Sequence, residues 1–309
     1  TGEQGISNAK RMGAAAAREL GIPAGSVIMS STGVIARQLP IELIEEGVKG
    51  MKKLLTPDPL VGAEGIMTTD TYSKALSLSA GNSVITIIGK GSGMIEPNMA
   101  TMLIYIFTDA EFSAEELDSM LREAVHTSFN MLSVDTDTST SDTCVIMANG
   151  LAGKVDKDEF LSGLKEACIG MTKLLARDGE GASKLLTATV NGAYDEKEAR
   201  YLAKLIINSP LIKTMAYGAD PNIGRVLMAI GKGFDCHIDR SKVEVSIGGK
   251  LVYKNESRID FNEDEVRKLL SGELVDIIVE LHVGNSCATA YGCDLTEGYI
   301  KENASYYSS

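Results

Sequence analysis

The sequence contains no tryptophan among its 309 residues, and aromatic residues make up only 5% of it. Hydrophobic residues still reach 44%, so aliphatic side chains and methionine must fill the core of one large domain or two smaller ones. Basic residues are too few to balance the acidic ones, and the formal net charge is -12. This charge argues against nucleic acid or an anionic membrane as a partner, because both require a basic face.

Metal-ligand patterns and long apolar runs are also missing. The three histidines lie far apart in the sequence, and the five cysteines form no C-x-x-C pair, which argues against a zinc site. No apolar run approaches the length of a membrane span. An odd number of thiols in a long chain is typical of a reducing compartment, so we expect a cytoplasmic protein that uses no metal or redox cofactor.

The most informative stretch is 89–103, where glycines alternate with Lys90 and Ser92. Glycine lets the backbone take positive φ angles and approach a ligand closely. An apolar run, 101–107, follows and indicates a buried strand. A hydroxyl at the junction of turn and strand, that of Thr101, is well placed to be a nucleophile. Taken alone, however, such a pattern is more often a plain turn that leads into a strand.

The whole string Lys-Gly-Ser-Gly-Met-Ile-x-Pro-Asn-Met-Ala-Thr-Met-Leu closely resembles the self-cleaving segment of the ornithine acetyltransferase family. These enzymes are the glutamate N-acetyltransferases of arginine biosynthesis. The resemblance implies that the chain cleaves itself between Ala100 and Thr101, and that Thr101 becomes a new N-terminus and the catalytic nucleophile. It also implies that family members carry a further N-terminal segment with several strands before the position of Thr1.

Two further threonine motifs match the same family. The segment Ser-Ser-Thr-Gly resembles the family's oxyanion hole, which implies this role for Thr32 and Gly33. A glycine there lets successive N–H groups converge on one point, although the same pattern also fits a plain turn. The string Thr-Thr-Asp-Thr implies that Thr68 binds substrate, whereas alone it would indicate an edge strand. Family members usually have glycine in place of Ala36.

The remaining substrate residues come from the middle and the end of the chain. The string Asp-Gly-Glu-Gly-Ala resembles the family's substrate-binding loop and implies that Glu180 binds the ornithine ammonium group. The C-terminal Asn-Ala-x-Tyr implies that Asn303 and Ser308 bind substrate, with serine replacing the usual threonine. Lys90 and Asn303 are expected to hold substrate carboxylates.

An acidic segment, 133–143, first suggests a calcium loop. The EF-hand pattern fails because its sixth position is Thr140 instead of glycine and its twelfth is Ile146 instead of glutamate. The segment instead resembles the family's Ser-Val-Asp-x-Asp-Thr-Ser-Thr-x-Asp-Thr. Thr136 and Ser141 stand where glycine and asparagine are usual. We expect this segment to hold the site residues in place without contacting the substrate itself.

The pattern of strands and helices predicts an α/β protein, and the resemblance implies the family's layered α/β sandwich with a smaller α/β unit. We expect a main body over 1–183 with the cleavage site at 100/101, a smaller α/β unit over 184–283, and a strand and tail over 284–309 that return to the active site. Local signals also predict a short strand at 26–29 and an amphipathic helix at 43–55. They further predict a helix that begins with the capping box of Ser113 and Glu116, a hairpin over Gly248–Gly249, and a helix from about 263 to 270.

The resulting hypothesis is an acetyl transfer from N2-acetylornithine to glutamate through an acetyl-threonine intermediate. The resemblance implies that the cleaved chains stay associated, as a dimer of αβ pairs. Use of acetyl-CoA as a second acetyl donor, as in bifunctional members, stays open. A nucleotide-binding loop and a G-x-S-x-G hydrolase are excluded because neither motif occurs. A self-cleaving aminopeptidase-like hydrolase and an inactive, N-terminally truncated relative remain as alternatives.

Overall fold

The computed structural model of the chain describes residues 2–96 and 102–304. Within these ranges the chain forms two β-sheets and ten α-helices. The strands are β1 (Lys74–Ala80), β2 (Ser83–Lys90), β3 (Leu103–Ala110), β4 (Thr143–Gly153), β5 (Leu185–Ala193), β6 (Glu244–Ile247), β7 (Lys250–Lys254), β8 (Ser257–Arg258), β9 (Leu274–Glu280) and β10 (Ser286–Cys293). The helices are α1 (Gly2–Leu20), α2 (Ile41–Gly47), α3 (Pro59–Gly65), α4 (Ala114–Thr127), α5 (Lys157–Arg177), α6 (Glu196–Ile207), α7 (Pro210–Tyr217), α8 (Gly224–Ile230), α9 (Glu263–Leu270) and α10 (Glu297–Ala304).

The first sheet has four strands in the order β1-β2-β3-β4. Strand β2 is antiparallel to both of its neighbours, β1 and β3, whereas β3 and β4 run parallel. A parallel pair requires a crossover connection, and α4 provides it. The start of β3 therefore lies between the end of β2 and the start of β4, which fixes the surroundings of the chain directly after residue 101.

The second sheet has six strands in the order β10-β5-β9-β6-β7-β8. Strands β5 and β9 are parallel, and the other neighbouring pairs are antiparallel. The last strand, β10, pairs with β5 along the edge of this sheet. The expected boundary at 283/284 therefore does not separate two sheets, because the strand of the segment 284–309 belongs to the same sheet as the unit 184–283.

Helix α5 connects the two sheets. It packs against β1 and β2 of the first sheet and against β5 and β10 of the second. Its side chains Phe160, Leu164 and Met171 are fully buried, in one continuous hydrophobic core that extends through both sheets. Although α5 is the longest of the described helices, none of them combines the length and apolarity that crossing a membrane requires. The α/β class predicted from the sequence is confirmed.

Local signals predicted several elements correctly and two wrongly. The capping box of Ser113 and Glu116 is present at the start of α4. The predicted strand at 26–29 is wrong, because Ala24–Ser26 form a 3-10 turn and no described strand pairs with the residues that follow it. The predicted helix at 43–55 is also wrong in extent. Helix α2 ends at Gly47, and Gly50 takes a left-handed φ of 78° before a short 3-10 helix.

Candidate active site

The strand register brings three chain segments together at one edge of the first sheet. Lys90, the last residue of β2, pairs with Leu103, the first residue of β3. Leu103 in turn pairs with Thr143, the first residue of β4. Ala100 and Thr101 lie outside the described residues. The chain is described again from Met102, the residue directly before Leu103 at this edge.

A small pocket opens at the same edge, between the predicted oxyanion segment and the strand ends. It is lined by Thr32, Lys90, Met102, Leu103, Ser139, Ser141 and Asp142. A neighbouring cavity of about 550 Å³ lies between α1 and the segment 29–39, and both Thr32 and Gly33 line it. Gly33 has a φ of 153°, which side-chain-bearing residues rarely adopt, so the loop depends on glycine here. Thr32, Gly33 and Lys90 are thus brought to neighbouring cavities.

Lys90 is a buried cation, with only 8% of its surface exposed. Burial lowers the pKa of its ammonium group, whereas the negative charges of Asp70, Asp142 and Glu180 oppose this shift. Among the described residues, no carboxylate or other acceptor is within hydrogen-bond or ion-pair distance of its Nζ. Lys90 therefore presents a positive charge to the pocket, where an anionic group could bind it.

Glu180 lies on the loop after α5, and three separate segments hold its side chain in place. Thr69 Oγ1 donates a hydrogen bond to its Oε1 at 2.9 Å, and Asn303 Nδ2 donates one to its Oε2 at 2.8 Å. Its backbone N–H donates to the carbonyl of Ser92 at 2.8 Å. A Cβ added to Gly93 would lie 2.3 Å from the Glu180 carboxyl carbon. The Glu180 carboxylate therefore packs directly against Gly93 of the glycine-rich loop.

Two of the predicted substrate residues have surroundings that the sequence did not indicate. The side chain of Thr68 is exposed, and its described hydrogen bond is made by its backbone N–H, which donates to Asp70. The neighbouring Thr69 contacts Glu180 instead, a contact that the sequence did not predict. The amide of Asn303 is also occupied by Glu180 and by the carbonyl of Tyr299. Ser308 lies outside the described residues.

A buried ion cluster connects the loops that carry these residues. Lys74 Nζ lies 2.7 Å from Asp70 Oδ1 and 2.5 Å from Asp178 Oδ2, and all three side chains are almost completely buried. Asp70 also accepts the backbone N–H of Gly91 at 2.8 Å. Burial raises the pKa of Asp70, but the hydrogen bonds from Lys74 and Gly91 outweigh it, so this pKa lies below its ordinary value.

The sequence did not predict this cluster. Asp70 and Asp178 lie within the quoted strings, Thr-Thr-Asp-Thr and Asp-Gly-Glu-Gly, and an aspartate inside each string was the only available signal. Lys74 carries no signal of its own because it lies at the start of a strand, among apolar residues.

The acidic segment 133–143 holds the turn that precedes the predicted cleavage site. Asp135 accepts the backbone N–H groups of Met94 and Ile95 at 2.7 and 2.8 Å. Met94 has a φ of 54°, an uncommon angle for a residue with a side chain, and these two hydrogen bonds help to stabilise it. The side chain of Glu96 accepts two hydrogen bonds from Asn208, the residue directly after α6, each 3.0 Å long.

Asp142, at the end of the same segment, has different surroundings. Both of its carboxylate oxygens are buried, and neither has a hydrogen-bond partner among the described residues. Burial raises the pKa of this carboxyl to about 7, and the charge of Lys90 only partly opposes the shift. A buried polar group without a partner is rare in proteins and requires an explanation.

In the described part of the chain, no three histidine, cysteine, aspartate or glutamate residues come close enough together to hold a metal ion. The polar groups of the site are instead hydroxyls, amides, carboxylates and the Lys90 ammonium. These groups recognise the carboxylate and ammonium ends of amino acids through charge-assisted hydrogen bonds.

Comparison with known sequences identifies relatives along the whole chain. The model of the ArgJ family matches residues 1–308. The arginine biosynthesis bifunctional protein ArgJ 2 of Nostoc sp. is 48% identical over 307 residues, which cover 99% of this chain and 79% of the relative. The glutamate N-acetyltransferase Oat2 of Streptomyces clavuligerus is 44% identical over 315 residues, with 99% and 79% of the two chains covered.

A solved structure agrees with these sequence matches. The crystal structure of the arginine biosynthesis bifunctional protein argJ from Bacillus halodurans is similar to this protein with a TM-score of 0.63 and 39% sequence identity. The similar region covers 65% of this chain and 98% of the solved one. On the evidence of its motifs, its fold and these relatives, this chain belongs to the ArgJ family.

Proposed function

We propose that this protein transfers an acetyl group from N2-acetylornithine to glutamate, and that Thr101 carries the acetyl group between them. The observation that carries the proposal is the arrangement around residue 102. The Lys90 ammonium and the Thr32 side chain share a pocket with the chain that directly follows Thr101. The Glu180 carboxylate is held next to the same glycine-rich loop. Such a site offers a partner to each end of an amino acid.

Self-cleavage between Ala100 and Thr101 is the first step of the proposal, because it releases the amine that activates Thr101. The solved relative supports it by its length. Of the 309 residues of this chain, 65% is about 200 residues, and these make up nearly the whole solved chain. The segment from Thr101 to the C-terminus has about the same length. A fragment of this size is what the proposed cleavage would leave.

The two fragments would stay together after cleavage. Strand β3 belongs to the second fragment, yet it pairs along its length with β2 of the first. Helix α5, also in the second fragment, packs against β1 and β2. The cut therefore falls inside one sheet and one hydrophobic core, and separating the fragments would expose both to water.

Acetyl transfer then proceeds in two half-reactions. The α-amine of Thr101, with an ordinary pKa of about 8, takes the proton from Thr101 Oγ as Oγ attacks the acetyl carbonyl carbon. Thr32 and Gly33 stabilise the oxyanion of the tetrahedral intermediate. The amide bond breaks, the ornithine nitrogen takes the proton, and an acetyl ester remains on Thr101. The amine of glutamate attacks this ester and leaves as N-acetylglutamate, while Oγ regains its proton.

The charged side chains orient the two substrates. Glu180 would pair with the side-chain ammonium of ornithine, and Lys90 with a substrate carboxylate. Asn303 would act through Glu180, because its amide donates to that carboxylate. Thr68, an exposed residue next to Thr69, would also contact substrate. Because several relatives are named bifunctional, acetyl-CoA should also be tested as an acetyl donor.

The experiment uses N-acetylornithine and carbon-labelled glutamate with the purified wild-type protein and with Thr101→Ala. We expect the wild type to release ornithine and labelled N-acetylglutamate in equal amounts, and Thr101→Ala to release neither. Ornithine and free acetate without labelled product would contradict the proposal and favour the hydrolase alternative. Loss of both products in a cleaved wild-type preparation would favour the inactive relative.

A further inference from the structure

The self-cleavage in the proposed function requires a base that the mature enzyme does not need. Before cleavage, the nitrogen of Thr101 is part of the peptide bond to Ala100, so its lone pair is delocalised and it cannot accept a proton. The α-amine that activates Thr101 in acetyl transfer does not yet exist. Another group must therefore remove the proton from Thr101 Oγ in the uncleaved chain.

The strand register places one carboxylate near Met102, the residue that follows Thr101 in the sequence. Strands β3 and β4 are parallel and begin at the same edge of the sheet. The backbone N–H of Thr143 donates to the carbonyl of Met102 at 2.8 Å, which joins the residue after Thr101 to the residue after Asp142. Met102 and Asp142 also line the same pocket. In the sequence, Thr101 directly precedes one residue of this hydrogen-bonded pair, and Asp142 directly precedes the other.

Asp142 differs from the other carboxylates around the site because nothing in the described structure occupies its oxygens. Four other carboxylates around the site accept hydrogen bonds from described residues. They are those of Asp70, Asp135, Asp178 and Glu180. They hold loops in place and are therefore poor proton acceptors. Among the described carboxylates around the site, only that of Asp142 combines buried, unpartnered oxygens with a pocket that Met102 also lines.

The environment of Asp142 also suits proton transfer at neutral pH. Burial raises the pKa of this carboxyl to about 7, so the group is partly ionised at that pH and basic enough to accept a proton. Lys90 is the positive charge that opposes this shift. The other charged residues that line the cavities around Asp142 are Glu3, Arg37, Asp118 and Arg122. Of these, Arg122 and Asp118 form a salt bridge with each other.

We propose that Asp142 is the base that removes the proton from Thr101 Oγ during self-cleavage and returns it to the departing nitrogen. Oγ attacks the carbonyl carbon of Ala100, and the proton passes to the Asp142 carboxylate. The C–N bond then breaks as Asp142 gives this proton to the Thr101 nitrogen, which becomes a free amine. The product is an ester between Ala100 and Thr101 Oγ. Water hydrolyses this ester to the Ala100 carboxyl group and the free Thr101 hydroxyl.

The test follows the appearance of the two fragments over time during cell-free synthesis of the full chain. Asp142→Asn keeps the shape but cannot accept the proton, so we expect cleavage to slow at least tenfold, since positioned bases contribute about 10²–10⁴-fold. Asp142→Glu retains a carboxylate and should cleave faster than Asp142→Asn. Asp137→Asn removes an exposed carboxylate of the same segment and should cleave at the wild-type rate.

The pH dependence of cleavage separates a chemical role from a structural one. The carboxylate is the active form, so the wild-type rate should rise with pH up to about 7 and then level off, because the pKa of Asp142 is about 7. Asp142→Asn should lose this dependence. A flat wild-type profile would overturn the assignment even if the variant failed to fold.

The remaining outcomes also separate this inference from the proposed function on which it rests. If the wild-type chain cleaves and folded Asp142→Asn cleaves equally fast, Asp142 is not the base, and the acetyl-transfer proposal is untouched. If the folded wild-type chain never cleaves between Ala100 and Thr101, both the self-cleavage and the role of Asp142 are wrong.

Discussion

The side-chain amide of Asn303 donates a 2.8 Å hydrogen bond to the carboxylate of Glu180. Asn303 lies on α10, near the C-terminus, and Glu180 lies on the loop after α5, 123 positions away in the sequence. With Thr69 donating to its other oxygen, the Glu180 carboxylate is fixed by residues from two distant parts of the chain. This arrangement makes one negative charge available at a defined place beside the glycine-rich loop.

The charge of Glu180 should matter most for donors that carry an ammonium group. Glu180→Gln keeps the shape and removes the charge, and a lost hydrogen bond to a charged group costs about 1.5–3 kcal/mol. We therefore expect kcat/KM for N-acetylornithine to fall about tenfold or more, and to fall less for an acetylated amino acid without a side-chain ammonium. An equal loss for both donors would show that Glu180 does not bind this group.

Gly93 should be required for the position of that carboxylate. A methyl group at Gly93 would lie 2.3 Å from the Glu180 carboxyl carbon, so the end of this flexible side chain would have to move. Gly93→Ala should therefore lower acetyl transfer strongly while changing the thermal midpoint little. Gly47→Ala is the matched control, because no atom lies within 4 Å of its added Cβ. Wild-type activity in Gly93→Ala would contradict the packing seen here.

Thr136 should destabilise the fold through its backbone. It has a φ of 69°, a left-handed conformation that β-branched residues strongly disfavour, and the family resemblance predicts glycine at this position. Ala36, the other such position, has the same φ of 69°. Thr136→Gly should raise the free energy of unfolding by about 1 kcal/mol in urea titrations. Thr140→Gly is the control, because Thr140 has no positive φ, and it should not raise the free energy of unfolding. A loss of stability in both variants would contradict this expectation.

Lys74 should be essential for stability because it neutralises two buried carboxylates. Lys74→Met would leave Asp70 and Asp178 buried without a cation, and breaking a buried ion pair in this way typically costs about 3–5 kcal/mol. Urea unfolding monitored by circular dichroism measures this loss. As a control, Lys49→Met removes an exposed ion pair with Glu46 and should change stability little. A stable Lys74→Met variant would mean that the cluster is not energetically important.

Sequence patterns predicted those features of the fold that local chemistry determines. The capping box at Ser113, the helix at 263–270 and the hairpin over Gly248–Gly249 each depend on residues a few positions apart, and all three are present. The failed strand at 26–29 had a suitable local pattern but has no described strand beside it. A strand requires a partner, and local patterns do not identify one.

The same limit explains what was missed in the site. Lys74 is a functional neighbour of Asp178, 104 positions away, and only the folded chain brings them together. The contact of Glu180 with Thr69 instead of Thr68 depends on a turn geometry that the string Thr-Thr-Asp-Thr does not reveal. Asp142 lies in a segment rich in aspartates, and only its burial without partners distinguishes it from Asp135 and Asp137.

The most direct test of the central proposal is the mass of the larger fragment after the cleaved protein is mixed with N-acetylornithine in the absence of glutamate. A ping-pong transfer through Thr101 predicts a fragment that is one acetyl group heavier, with the modification on its N-terminal threonine. Adding glutamate should restore the original mass and produce N-acetylglutamate in an equal amount. A fragment that never gains mass while N-acetylglutamate accumulates, or free acetate that forms at the same rate with and without glutamate, would contradict the account.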